Sequence, residues 1–248
     1  MGAYQCLGCT NLVWLPKNLP HFSIVADIGC GNGKNIPACN EFGICIGSDI
    51  SLPLCEICTS LKFEAMAADC LMLPYRPEQF DAVLCIAVMH HLSTESRRLR
   101  CVEEAGRILL VGGRMLIYAW AYEQHESKSA HRFASQDVLV PWHLRDNGDE
   151  SRAASMKPDS KRGTNSTTYY NDCSIQQQEN SRNYAEMADE NKVPSVPDVS
   201  IYQRYCHVYV HGELESLVRR AGDGRLFQID SSYYDCGNWC VVCTKVGS

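Results

Sequence analysis

Hydrophobic and polar positions change rhythm three times along this chain. From about Phe22 to Trp120, short apolar runs alternate with stretches of helical period, the pattern of βαβ units that build a parallel sheet. Ser23–Ile28, Ile44–Asp49, Phe63–Ala68, Phe80–Val88 and Met115–Trp120 predict five strands. Lys34–Glu41, Ser51–Leu61 and Glu95–Leu110 predict the helices between them, the second capped by Ser51. Gly112 and Gly113 are expected to stop the third helix and return the chain to the sheet.

From about Glu123 to Ser200 the rhythm is lost. Ser, Asn, Gln, Asp and Lys dominate, and a long, largely disordered insertion is expected. Gln136–Leu144 is an apolar island inside it, expected to dock. Order returns at Ile201, with an amphipathic helix over His211–Ala221. Strands over Arg225–Tyr234 and Trp239–Lys245 are joined by the turn Asp235-Cys236-Gly237-Asn238 and complete the same sheet. The expected organisation is one α/β domain over residues 1–248, with a core at 22–120, an insertion at 123–200 and a closing segment at 201–248.

Composition narrows the class. With 248 residues, 45% of them hydrophobic, the chain can bury a sizeable core, which excludes full disorder, collagen and a disulfide mini-protein. No run of about 18 uncharged apolar residues predicts a spanning helix, so no membrane partner is expected. The net charge of -6 argues against a generally basic coat, but a local basic patch still permits nucleic acid. Arg97, Arg98 and Arg100 offer such a patch or an ordinary solvated helix face.

The first residues lack the basic and apolar regions of a signal peptide, so the 15 cysteines are read as thiols of a reducing compartment. Cys6-x-x-Cys9, Cys55-x-x-Cys58 and Cys240-x-x-Cys243 raise the question of zinc. The third pair lies in a strand, where an odd offset points its members to opposite faces. The second sits where a helix needs apolar residues. Cys6 and Cys9 lack an evident second pair, so no metal site is expected.

The candidate chemistry starts at Val25-Ala26-Asp27-Ile28-Gly29-Cys30-Gly31-Asn32-Gly33-Lys34, where a strand ends in an acid and a glycine turn opens a helix. A tight turn is the plain reading. The glycines run G-x-G-x-G, neither the dinucleotide spacing nor a Walker loop. Asp27 would repel a pyrophosphate but attract a cationic amino-acid end. S-adenosylmethionine has that end and no phosphate. Asp49 and Asp69 follow the next two strands, placed for ribose hydroxyls and an adenine amine. All three acids fall at the carboxyl ends of strands, where open α/β sheets bind ligands.

DIGCGNGK resembles motif I of class I S-adenosylmethionine-dependent methyltransferases. PEQFDAVLCIAVMHHL resembles their fourth motif, and RILLVGGRMLI the segment after it. With IAVMHHLST, LIYAWAYEQ, QDVLVPW, RYCHVYVHGELE and SYYDCGNWCVV in this order, the chain resembles the eukaryotic tRNA wobble-uridine carboxymethyl methyltransferase family. That family comprises a yeast-type standalone enzyme and the methyltransferase part of an animal AlkB-type fusion protein.

The resemblance implies a seven-strand class I methyltransferase sheet, mostly parallel with a reversed last strand. It implies methylation of the carboxylate of 5-carboxymethyluridine at tRNA position 34, to give the methyl ester. The implied cofactor, S-adenosylmethionine, would be held by Asp27, Gly29, Cys30, Gly31, Gly33, Lys34, Asp49, Ile50, Asp69, Cys70, Cys85 and Ile86. Implied partners are tRNA and a small zinc-containing activator subunit along the edge strand Phe63–Ala68, with no DNA. The implied location is cytoplasmic, or nuclear as well. Met1–Phe22 departs from the family, whose combined His-Phe and Thr-Arg pattern lines the acceptor pocket: no Thr-Arg pair is present in it.

A carboxylate is already nucleophilic at neutral pH, so its methylation needs orientation and a polar clamp rather than a strong base. His90 and His91 follow the fourth strand: one faces the acceptor, or one caps the next helix while the other packs. Trp120 either stacks a base or belongs to the core. Arg204, Tyr205 and His207 match the family motif and would grip a carboxylate or phosphate, against the plain alternative of an edge charge. Two rivals share the fold: a small-molecule methyltransferase, and an inactive methyltransferase-like regulator.

Overall fold

The computed structural model describes residues 22–41, 43–124, 132–145 and 199–247. Cys6, Cys9 and the disorder expected of the insertion between 146 and 198 lie outside them. Residues 141–145 and 199–203 fall in a second unit, while the seven-stranded sheet and the site described below belong to the first.

Five of six residues of β1 (Ser23–Ile28) are buried, as a central strand covered on both faces requires. It pairs in parallel with β2 (Gly43–Asp49) on one side and β4 (Phe80–Ile86) on the other. β3 (Ala65–Ala67) lies beyond β2 at the open edge, and β5 (Leu109–Trp120) beyond β4. β8 (Phe227–Asp235) and β9 (Asn238–Lys245) complete the order β3-β2-β1-β4-β5-β9-β8. The last strand, β9, runs antiparallel to both of its neighbours. The hairpin that reverses it turns on Cys236 and Gly237, both with positive φ (46° and 82°), the conformation that two-residue turns favour.

Period two divides each central strand between two cores. Met115, Ile117 and Ala119 of β5 and Val241 and Cys243 of β9 face α3 (Glu95–Ile108) and α4 (Glu213–Arg220). Leu116 and Tyr118 of β5 and Cys240 and Val242 of β9 face α1 (Ile36–Asn40) and α2 (Leu52–Ser60). Cys240 and Cys243 therefore sit in different cores, as their spacing implied. Cys55 and Cys58 are buried beneath α2.

Two expectations are corrected, and one open alternative is decided. First, α3 ends at Ile108, and the chain is extended from Leu109 on. The double glycine makes a bulge rather than a stop. Pairing jumps from Phe80↔Leu109 to Ala82↔Arg114, and Gly112 takes φ 83°. Second, Gln136–Leu144 is not simply a docked island. Asp137–Arg145 forms β6, a ribbon with β7 (Val199–His207). The pairing partner lies across the insertion, out of reach of any local pattern. Third, Arg97, Arg98 and Arg100 do not form a basic patch. Arg98 is buried and donates to the Leu92 carbonyl (3.0 Å), and Arg100 pairs with Glu104 (2.9 Å). No helix among the described residues is long and apolar enough to cross a membrane.

Candidate active site

The site opens at the carboxyl ends of β1, β2, β4 and β5, and its two halves are built differently. One is an acidic cradle around the glycine turn. Gly29 and Cys30 donate their N–H groups to the Ser48 carbonyl (2.6 and 3.0 Å), which pins the turn to β2. Gly29 has φ 71°, and a Cβ there would fall 2.1 Å from Val88 Cγ2, so glycine is required on both counts. Ala87, with φ 61°, is the non-glycine left-handed residue that brings Val88 onto the turn.

Asp27 is fully buried at the mouth of this cradle. Its Oδ2 accepts from Asn35 Nδ2 at 3.4 Å, while its Oδ1 has no partner. Burial pushes its carboxyl up to about 7; the Asn35 hydrogen bond opposes that rise and the Asp49 charge adds to it. An orphaned buried oxygen is costly unless a donor meets it, and the ammonium of an amino-acid ligand fits that need.

Asp49 accepts from Gly31 N–H through Oδ2 and from Ser51 N–H through Oδ1, both at 2.9 Å. Each oxygen keeps a lone pair, enough for a vicinal diol. Asp69 accepts from Leu71 N–H (2.9 Å) in the turn after β3. Of the other residues named from sequence, Gly31, Gly33 and Cys30 are in the turn, Ile86 ends β4, and Ile50 and Lys34 are exposed. Cys70 follows Asp69. The Cys85 side chain points into the α3 core, which leaves only its backbone at the strand end.

The other half is an aromatic platform. His90 is buried and stacks on Trp120, with centroids 4.8 Å apart and planes 22° apart. Trp120 N–H donates to His90 Nδ1 (3.5 Å), and the Arg204 guanidinium lies 6.0 Å above the indole. His91 meets His90 edge-on at 4.3 Å and faces the Tyr205 carbonyl through Nδ1 (3.2 Å). Burial, then its neighbour His91 and Arg204, hold His90 well below the ordinary histidine value. Burial also lowers His91, against its bond to Tyr205. Both rings are neutral at pH 7, which leaves Arg204 as the cation of the platform.

The structure thus gathers His90, His91, Trp120 and Arg204. It places His207 elsewhere, on the opposite face of β7 between Asp137 and Glu213. Sequence reasoning missed Cys206, whose Sγ is 3.8 Å from His91 Nδ1. His90, His91 and Cys206 bring ligand atoms within 4.8 Å of one another, the spacing of a three-ligand cation site. The adjacent guanidinium opposes positive charge there. No local signal joins residues this far apart in sequence.

The raised Asp27 value makes ligand binding a proton-linked event. In the ligand-free protein, the folded state holds a proton between pH 3.8 and about 7 that the unfolded chain has lost, so stability falls as pH rises through that window. A cationic ligand reverses the shift and expels the proton. Calorimetry in buffers of different ionisation enthalpy should therefore find close to one proton released per S-adenosylmethionine at about pH 6 and almost none at about pH 7.5, where the residual release from Asp27 is matched by uptake on the ligand's amine. Equal proton counts at both pH values would contradict the placement of Asp27.

A methyltransferase-domain family model matches residues 26–117. The tRNA (carboxymethyluridine(34)-5-O)-methyltransferase of Schizosaccharomyces pombe is 35% identical over 230 residues, covering 92% of this chain and 84% of the relative. Its Xenopus tropicalis counterpart, alkbh8, is 36% identical over 263 residues, covering 92% of this chain but only 36% of the relative. A SAM-dependent methyltransferase structure from Methanosarcina mazei, 15% identical, superposes with a TM-score of 0.58 over 94% of this chain and 97% of that one, and supports the fold.

Proposed function

We propose, from the premise that this chain belongs to the tRNA (carboxymethyluridine(34)-5-O)-methyltransferase family, that it esterifies the carboxylate of 5-carboxymethyluridine at the wobble position of tRNA with S-adenosylmethionine as methyl donor. The observation that carries this reading is the opposition of two half-sites at one end of the sheet. An acidic cradle with an orphaned carboxylate oxygen fits the cofactor. A guanidinium over a stacked Trp120–His90 pair fits an anionic base.

The division of labour follows from the charges. Asp27 would hold the ligand's ammonium and Asp49 its ribose hydroxyls. The bound cofactor supplies an electrophilic methyl group on a sulfonium. Arg204 orients the acceptor carboxylate, and the Trp120–His90 stack beneath it forms the wall against which the uracil ring is placed. His90 and His91 are held neutral, so they neither compete for the carboxylate nor need to take a proton. The platform acts by orientation and by excluding water, which in-line displacement at a methyl carbon requires.

The deciding experiment is nucleoside mass spectrometry on tRNA bearing 5-carboxymethyluridine, incubated with the protein and S-adenosylmethionine. The methyl ester should appear at position 34. Methylation of small carboxylic acids or lipids with no product on tRNA would defeat the proposal.

A zinc-containing activator subunit is the proposed protein partner, with β3 as its docking edge. The strand is short, and Met66, Ile44, Ile57 and Leu61 around it are exposed. Ala68 N–H bonds to the Asp49 carbonyl, so by period two the N–H groups of Ala65 and Ala67 face outward. Ala67→Pro removes an outward donor while the sheet keeps its own ladder. It should abolish co-purification with the activator and leave the isolated fold intact. Undiminished co-purification would move the interface elsewhere.

A further inference from the structure

The bridge on the far face of β7 has no part in the chemistry just described. His207 is buried, with Nδ1 2.9 Å from Asp137 Oδ1 and Nε2 2.7 Å from Glu213 Oε1. A ring with a carboxylate oxygen at each nitrogen donates from both, and only the imidazolium has two donors. The carboxylates are themselves held. Glu213 Oε2 accepts from Gln136 Nε2 (2.6 Å) and Val210 N–H (3.1 Å), and Asp137 accepts from the Tyr205 hydroxyl. Backbone bonds close the frame, Val208 N–H donating to the Gln136 carbonyl at 2.7 Å. Three segments meet here: the start of β6, the end of β7 and the first turn of α4.

Period two connects this bridge to the platform. Tyr205 and His207 face Asp137, while Arg204 and Cys206, on the alternate positions, face Trp120 and His91. We propose that the Asp137–His207–Glu213 bridge is a positioning device for acceptor recognition. By fixing β7 against β6 and α4 from one face, it holds Arg204 over Trp120 on the other. The inference rests on the acceptor role proposed for that platform. His207 touches neither substrate nor cofactor and acts through Arg204.

The groups around the ring set the sign of its pH dependence. Burial and the Arg98 charge on α3 oppose protonation, the Asp137 and Glu213 hydrogen bonds outweigh them, and the Tyr209 ring packs edge-on at 5.1 Å. His207 therefore titrates above its ordinary value of 6.5. A raised folded value means the bridge's contribution is complete below pH 6.5 and is lost as pH climbs through the raised value.

The test uses the full-length protein with tRNA carrying 5-carboxymethyluridine. His207→Gln should raise KM for this tRNA on the order of tenfold, with kcat and the Kd for S-adenosylmethionine within about twofold of wild type. Wild-type KM should rise with pH as the bridge discharges, and the variant's should be flat. Glu213→Gln, which removes a charge and almost no volume, should lower the His207 titration seen by NMR. The Trp120 indole signal, assigned with Trp120→Phe, should move as His207 titrates. An unchanged acceptor KM in both variants, or an indole signal indifferent to the His207 titration, would overturn the proposal. So would an equal loss of cofactor and acceptor binding, because that marks general damage. If His207→Gln fails to fold, Glu213→Gln decides. If wild type methylates no tRNA, the functional reading fails, and the NMR coupling still decides the bridge.

Discussion

Asp27→Asn weakens S-adenosylmethionine binding roughly 10- to 150-fold, the equivalent of about 1.5–3 kcal/mol for hydrogen bonding to a charged group. The substitution keeps the volume of a fully buried side chain and removes only its charge. Because Oδ1 has no partner in the protein, no internal contact is lost with it. Burial raises the carboxyl to about 7, so the ionised form is a burden on the ligand-free fold. Melting temperature should therefore hold or rise slightly while affinity collapses, and proton release on binding should vanish. Titration calorimetry and a thermal melt on the same sample read both. An unchanged dissociation constant would remove Asp27 from the cofactor site.

Gly29→Ala should be strongly destabilising, because backbone conformation and space both oppose it. Its φ of 71° costs an alanine roughly 1–2 kcal/mol, and forcing a Cβ against Val88 adds roughly 1–3 kcal/mol. For a domain of this size the sum lowers Tm by roughly 5–20 °C. Val88 Cγ2 is the clashing atom, at 2.1 Å, so Val88→Ala should recover part of the loss in a double-mutant cycle. The residue left over is the backbone strain. Additive effects of the two substitutions would show that Ala87 and Val88 do not close over the glycine turn.

Much of this was legible in the chain itself because it is local. The span of β1 follows from the run Ser23–Ile28, and the turn at Cys236-Gly237 from residue types suited to positive φ. The three acids follow from their places after consecutive strands. The glycine spacing pointed to a ligand with a cationic end, and the orphaned oxygen of Asp27 is where such an end fits. The opposed faces of Cys240 and Cys243 follow from parity alone.

Local signals misled, or left two readings open, where one residue type serves two structures. Gly112 and Gly113 suit a helix stop and a strand bulge equally, and pairing with Phe80 and Ala82 decides for the bulge. Arg97, Arg98 and Arg100 look alike in sequence, yet the helix turns Arg98 inward to the Leu92 carbonyl and Arg100 onto Glu104.

What sequence by itself determined about this protein is therefore its sheet-forming core and the placing of the acids and glycines proposed to hold the cofactor, since each rests on residues within one strand and the turn after it. Only the tertiary structure decided the aromatic platform proposed for the acceptor. His90, Trp120 and Arg204 come from three separate segments, and the pairing of β6 with β7 across the insertion sets which face of β7 each residue takes. His207 and Arg204 read as one motif in the chain. Three positions apart on a strand, they must point to opposite sides, so one braces while the other reaches the platform.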